Sequence, residues 1–182
     1  VTDAQNNITR YTYDLTDYML LGARLKTSVI DAKLNATTYA YDKLGRLIEV
    51  KDALLQTISY SYDAAGNRLT ITDAKGNVTT YIYDALNRLT KTTFPDGSFE
   101  TYSYDSLGNM TQKTMRKGDI INFAYDSLNR LITKSYPDLS QITYTYDALS
   151  RLLTVTDQSG AITHVYDALG RLSHIYYPSG EE

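Results

Sequence analysis

The stretch Tyr83-Asp84-Ala85-Leu86-Asn87-Arg88-Leu89 returns almost unchanged along the chain. It reappears as Tyr41 to Leu47 (YDKLGRL), Tyr125 to Leu131 (YDSLNRL), Tyr146 to Leu152 (YDALSRL) and Tyr166 to Leu172 (YDALGRL). Looser copies run from Tyr62 to Leu69 (YDAAGNRL), which reads with one extra residue, and from Tyr104 to Met110 (YDSLGNM), which lacks the arginine. The tyrosines fall at 41, 62, 83, 104, 125, 146 and 166, a step of 21 residues that ends in one step of 20. A fixed period of this length marks one small unit stacked many times. An earlier Tyr13-Asp14 copy is irregular, because Leu21-Gly22-Ala23-Arg24-Leu25 arrives late and 28 residues separate Tyr13 from Tyr41.

Each unit holds two turns. The first follows Tyr-Asp and carries Gly45, Gly66, Asn87, Gly108, Asn129, Ser150 or Gly170, residue types that tolerate positive φ or bond their own backbone. The second is Asp73 to Asn77, Pro95-Asp96-Gly97, Lys117-Gly118-Asp119, Pro137-Asp138 or Gln158-Ser159-Gly160, with the proline and glycine signals of a tight turn. Between them lie short runs of Tyr, Thr, Ile and Val, which favour strands.

The run before each Tyr-Asp alternates. Aromatics two apart share one face at Tyr11/Tyr13, Tyr39/Tyr41, Tyr60/Tyr62, Tyr81/Tyr83, Tyr102/Tyr104, Phe123/Tyr125 and Tyr144/Tyr146. Ile58, Ile121, Ile142 and Ile162 extend that face, and Glu100 interrupts it. No segment sustains a 3.6-residue apolar period, so no helix is expected. The expected fold is all-β: an array of antiparallel β-hairpins of about 21 residues each, forming a curved or spiralling sheet. Some sixteen strands at ~4.8 Å would span roughly 75 Å, a width at which open sheets curl or split. The chain reads as a single array over 1–182, with units near 13–40, 41–61, 62–82, 83–103, 104–124, 125–145, 146–165 and 166–182. It opens and closes inside a unit, which predicts a stretch of a longer array with exposed strand edges.

Composition narrows the function. There are 18 tyrosines, 3 phenylalanines and no tryptophan or cysteine. Disulfides, thiolate metal sites and cysteine nucleophiles are therefore excluded. Net charge is −3 with both signs interspersed, and no basic stripe points to nucleic acid. No run is long and apolar enough to span a bilayer as a helix.

YDxLGRL at this spacing resembles the RHS/YD-repeat family: bacterial Rhs and wall-associated polymorphic toxins, the C component of insecticidal Tc toxins, and animal teneurins. The resemblance covers essentially the whole chain. It implies a spiral of hairpins forming a hollow shell, which in the toxin members encloses a C-terminal toxic domain. The Asp-Pro-x-Gly cleavage motif of those members is absent here, and 182 residues are too few to close a cage.

The repeated aspartates Asp42, Asp63, Asp84, Asp105, Asp126, Asp147 and Asp167 could be read as calcium ligands. The stronger reading is structural, with each accepting backbone N–H bonds from residues two or three on. The repeated Arg46, Arg68, Arg88, Arg130, Arg151 and Arg171 could hold anions or sulfated sugars; stacking on tyrosine or pairing with the repeat aspartate is favoured. The tyrosines, Tyr41, Tyr62, Tyr83, Tyr104, Tyr125, Tyr146 and Tyr166 among them, could stack carbohydrate, but an aromatic strand face more often packs. His164 replaces a ladder aromatic, and with His174 it gives neither metal spacing nor a triad. The sequence therefore predicts no catalytic, cofactor or metal residues. The expected role is a structural shell segment of a secreted or cell-surface bacterial protein. Its expected partners are flanking repeats and an enclosed C-terminal toxin, and the alternative is a carbohydrate-binding adhesive module.

Overall fold

The computed structural model describes residues 1, 2, 4, 8–13 and 25–178. Among them there is no helix. The chain divides into two compact units, Val1–Gly97 and Ser98–Glu182. The first holds β1 (Arg10–Tyr13), β2 (Lys26–Ile30), β3 (Ala36–Tyr41), β4 (Leu47–Lys51), β5 (Thr57–Tyr62), β6 (Arg68–Thr72), β7 (Val78–Tyr83) and β8 (Leu89–Thr93). The second holds β9 (Phe99–Tyr104), β10 (Met110–Thr114), β11 (Ile120–Tyr125), β12 (Leu131–Ser135), β13 (Gln141–Tyr146), β14 (Leu152–Asp157), β15 (Gly160–Tyr166) and β16 (Leu172–Tyr176). In each unit every strand pairs antiparallel with its sequence neighbour. The expected all-β hairpin array is what forms. The late Leu21 to Arg24 stretch lies outside the described residues.

Both turns of a unit are built alike. In the first, Gly45 N–H donates to Asp42 O at 2.9 Å and Asp42 N–H donates to Arg46 O at 2.9 Å. In the second, Gly76 and Asp73 make the same two bonds with Asp73 O and Asn77 O. The fourth residue has positive φ in each: Gly45 at 75°, Asn87 at 61°, Ser150 at 63°. Leucine occupies this place at Leu34, Leu55 and Leu139, with φ of 66°, 64° and 68°. The turns at Asp31–Asn35 and Asp52–Gln56 therefore carry no glycine signal, and the sequence reading does not single them out.

The one short interval has a local cause. Between β14 and β15 the Thr156↔Ala161 pair is followed by Asp157↔Gly160, a two-residue turn. The equivalent Ser135↔Gln141 pair encloses the five residues 136–140. One residue fewer here gives the step of 20. Gly160 is required twice over, since its φ is 128° and a Cβ there would lie 2.7 Å from Pro178.

The two edges differ in register. Pairings across the second turn are regular, as in Glu49↔Ser59, Val50↔Ile58 and Lys51↔Thr57. Each pairing across the Tyr-Asp turn slips: Tyr41↔Leu47 is followed by Ala40↔Glu49, leaving Ile48 unpaired. The same bulge recurs at Leu69, Thr90, Thr111, Ile132, Leu153 and Ser173. It puts residues three apart on one face, so Leu47 stands opposite Tyr41 while Val50 stands opposite Tyr39.

The resulting ladders run Tyr39–Val50–Ile58 and Tyr60–Ile71–Thr79 in the first unit. In the second they run Phe123–Lys134–Ile142 and Tyr144–Val155–Ile162. In β11 the alternation is complete, with Ile121, Phe123 and Tyr125 partly covered and Ile120, Asn122 and Ala124 exposed. No described apolar side chain is fully buried, so the apolar contribution comes from half-covered ladders. Glu100, which interrupts the apolar face, is paired: its Oε2 lies 3.0 Å from Lys113 Nζ and accepts the Tyr102 hydroxyl at 2.8 Å.

Leu139 is 89% exposed and held in the left-handed region, a conformation that costs an L-residue about 1–2 kcal/mol. Leu139→Gly is expected to stabilise the chain by about 0.5–1 kcal/mol after glycine's larger entropy loss is counted. Urea denaturation measures this, and an unchanged or lower midpoint contradicts it.

Candidate functional site

The repeated polar residues converge on the Tyr-Asp turn. Asp126 Oδ1 accepts the backbone N–H groups of Leu128 at 2.9 Å and Arg130 at 3.0 Å. Its Oδ2 accepts Arg130 Nε at 2.7 Å. Asp42, Asp84, Asp147 and Asp167 repeat the pattern with Arg46, Arg88, Arg151 and Arg171. The donors stand two and four residues on, because the positive-φ residue turns the fourth N–H, not the third, toward the carboxylate. The hydrogen bonds from the Arg130 side chain and backbone hold the Asp126 carboxyl below its ordinary value of 3.8. Those from the Arg171 backbone and side chain do the same for Asp167.

The arginine also reaches forward to the next unit. Arg46 Nη1 donates to Asp63 O at 2.7 Å and its guanidinium lies 4.8 Å from the Tyr62 ring centre. Arg130 Nη1 donates to Asp147 O at 3.1 Å and to Ser150 Oγ at 3.2 Å, over Tyr146 at 4.8 Å. Arg151 lies 4.5 Å over Tyr166. The Arg171 side chain, on the last hairpin, is 74% exposed.

Arg68 differs from the others. The Tyr62 copy has a turn of ordinary length, and Asn67 stands where the arginine stands elsewhere. Asn67 Nδ2 donates to Asp63 Oδ2 at 2.9 Å and to Asn87 Oδ1 of the next turn at 2.7 Å. Arg68 is one place later, opposite Tyr62, with its guanidinium 5.0 Å from Tyr81. The extra residue of YDAAGNRL is thus an asparagine substitution followed by an arginine at the leucine position. Asn109 replaces the missing arginine of the Tyr104 copy, bonding Asp105 Oδ2 and Asn129 Oδ1, each at 2.9 Å.

The tyrosine reaches backward. The hydroxyl of Tyr62 donates to Leu47 O at 2.9 Å. Tyr41, Tyr83, Tyr125, Tyr146 and Tyr166 donate likewise to the carbonyls of Lys26, Arg68, Met110, Leu131 and Leu152. From Leu47 onward each acceptor is the residue opposite the previous Tyr, at the bulge. The ladder to the following strand stops short of this residue, at Glu49↔Ser59 in the case of Leu47, and the hydroxyl supplies a donor to its carbonyl. Burial raises the Tyr125 and Tyr146 phenols above 10.0, so they stay protonated as donors. One sequence signal marks this role. The partner position two residues earlier accepts Phe123 and His164, whereas the position before Asp is always tyrosine.

Cations lie over several rings at 4.5 to 5.4 Å, including Lys26 over Tyr39 and Lys113 over Tyr102. Those ring faces are already occupied. His164 sits on the aromatic face opposite Ile175, its buried Nδ1 without a hydrogen-bond partner among the described residues. His174 stacks on Tyr176 at 6.0 Å and its Nδ1 lies 3.0 Å from Ser173 Oγ. Among the described residues no group of three or more His, Cys, Asp or Glu is placed to hold a metal, and no helix is long and apolar enough to cross a membrane.

An open antiparallel array whose neighbours are tied by Tyr-Asp turns defines a YD-type β-hairpin repeat protein. The Teneurin YD-shell family matches residues 12–182, and the chain belongs to that family. No curated protein matches it. Among solved structures it is similar to the crystal structure of TcdB2-TccC3 with Cdc42, at 22% identity and a TM-score of 0.71 over 89% of this chain. It is similar to TcdB2-TccC3 without its hypervariable C-terminal region at 21% identity and 0.72 over 92%. A third likeness is a Photorhabdus luminescens Tc holotoxin pore, at 18% identity and 0.65 over 93%. The chain spans only 10% to 12% of the length of these structures, and at such identities the likeness shows the fold.

Two outcomes are expected. Tyr125→Phe leaves Met110 O without its donor and should cost about 1 kcal/mol in unfolding free energy. Tyr144→Phe, whose hydroxyl makes no such bond among the described residues, should shift it by under roughly 0.5 kcal/mol; equal losses would remove the tyrosine's role at the bulge. The depressed aspartates bind protons more readily unfolded than folded. Their contribution is complete above 3.8 and is lost as pH falls through their lower folded values. The urea midpoint should be level above pH ~5 and fall steeply below pH ~4; a midpoint unchanged down to pH ~2 would contradict it.

Proposed function

We propose that this chain is a stretch of shell wall in a larger exported protein, which encloses a C-terminal toxic domain and helps deliver it. The observation that carries the reading is the two-way link between neighbouring repeats. Tyr62 reaches back to Leu47 O while Arg46 reaches forward to Asp63 O. The repeated polar side chains are thereby committed to holding the array together, which supports a structural, non-catalytic role. Family membership supports the shell, and the Tc structures it is similar to support the toxin setting. The protein works outside the cytoplasm of a producing bacterium, with flanking repeats and the enclosed domain as its partners.

Limited proteolysis of the full parent protein tests this. A domain of unrelated sequence following the repeats should resist protease in the intact protein and be digested rapidly when expressed alone. Equal digestion in both settings, or a parent protein with no such domain, overturns the proposal.

A further inference from the structure

The two edges of the array differ at the third residue of their turns. On the Tyr-Asp edge the third turn residue is leucine in six of the seven turns read from Tyr41 onward. In the second unit Leu107, Leu128, Leu149 and Leu169 are 71%, 61%, 75% and 78% exposed. In the first, Leu44 and Leu86 are 72% and 67% exposed, with alanine at position 65 between them. At the matching place on the other edge stand Lys33, Lys75, Asp96, Lys117 and Asp138, with Leu54 the exception; the other leucines exposed on that edge, Leu34, Leu55 and Leu139, stand one place later, and in the second unit Leu139 is alone.

Nothing within the turn asks for leucine. Its local task is to offer a backbone N–H, as Leu128 does to Asp126 Oδ1, and any non-proline residue can do that. Exposed turn tips ordinarily carry polar residues. A row of leucines at each tip is an apolar edge with no local cause, and contiguous exposed apolar surface marks a contact.

The remaining features of the edge say what fits it. In three of the four turns the charge beside the leucine is neutralised within the turn, Asp126 by Arg130, Asp147 by Arg151 and Asp167 by Arg171, while Asp105 is bonded by the neutral Asn109. The second turn residues in this unit are Ser106, Ser127, Ala148 and Ala168, all uncharged. Two such edges therefore meet with little repulsion. The leucines recur every two strands, about 10 Å apart, leaving gaps wide enough for one side chain. Only a surface of the same period fills those gaps along the whole row.

We propose that the Tyr-Asp edge is an interaction surface whose partner is a second row of the same turns, supplied in solution by a second copy of this chain. The rows mesh tip into gap, offset by half a repeat. Each leucine hides on the order of 100 Å², so four give about 400 Å² per copy, below the ~800 Å² of a standard interface. The association is accordingly weak and transient.

Sedimentation velocity of the full chain over a range of concentrations tests this against the triple variant Leu107→Ser, Leu128→Ser, Leu149→Ser. Serine suits the turn and keeps the backbone donor. The wild type should dimerise, the triple variant should weaken the dimer at least tenfold with an unchanged circular dichroism spectrum, and Leu139→Ser on the other edge should leave it unaltered. A wild type that is monomeric at ~1 mM, or a triple variant that associates like the wild type, overturns the proposal; the second result assigns association to the strand edges instead. The chain has no cysteine, so oxidative crosslinking reads the contact without disturbing the row. Leu128→Cys should crosslink between copies and Leu139→Cys should not; crosslinking of both to the same extent also overturns it.

Discussion

The bulge beside each Tyr-Asp turn is the constraint from which the rest follows. Beside it a strand carbonyl lies beyond the end of the ladder to the next strand, and its donor comes from the next repeat's tyrosine, as Tyr125 gives to Met110 O. The place where one ladder ends thereby becomes a bond to the neighbouring repeat. The array depends on this because none of its described apolar side chains is fully buried. Half-covered ladders stabilise less per residue than a packed interior, so directional bonds between units carry more of the order. The arginine, bonded to its own aspartate and to the next unit's backbone, closes the link from the other side.

Much of the fold was legible in the sequence, for a physical reason. A strand has a two-residue period, a tight turn needs particular residues, and a repeat multiplies both signals. The positive-φ places at Gly45, Asn87 and Ser150 follow from residue type alone. Leu34, Leu55 and Leu139 do not, because hairpin register imposes the turn on a residue that resists it. The bulge was hidden too. It converts a two-residue period into a three-residue step at Leu47 and Val50, which read alone resembles no strand.

The site was legible in its members more than in its geometry. Repetition singled out tyrosine, aspartate and arginine without showing that each serves a different neighbour. Arg68 illustrates the difficulty. Alignment by residue type assigns it to the arginine position, while the five-residue turn gives that position to Asn67. An amide and a guanidinium fill one role because both present donors to the same Asp63 or Asp126 oxygen and still reach the following turn. Residue type conceals an equivalence that geometry defines.

The short turn at Asp157–Gly160 shows where the array tolerates change in length. Its missing residue lies on the edge opposite the Tyr-Asp turns, so Tyr166 still reaches Leu152 O, now 14 residues back and not 15. Links made only between adjacent units are indifferent to how many units there are. Whole repeats can be gained or lost by duplication, and loops on the far edge can drift, with every remaining link intact. A single-residue insertion between the tyrosine and its arginine enjoys no such freedom. Selection can thus adjust the extent of such a sheet in whole units while its joint stays fixed.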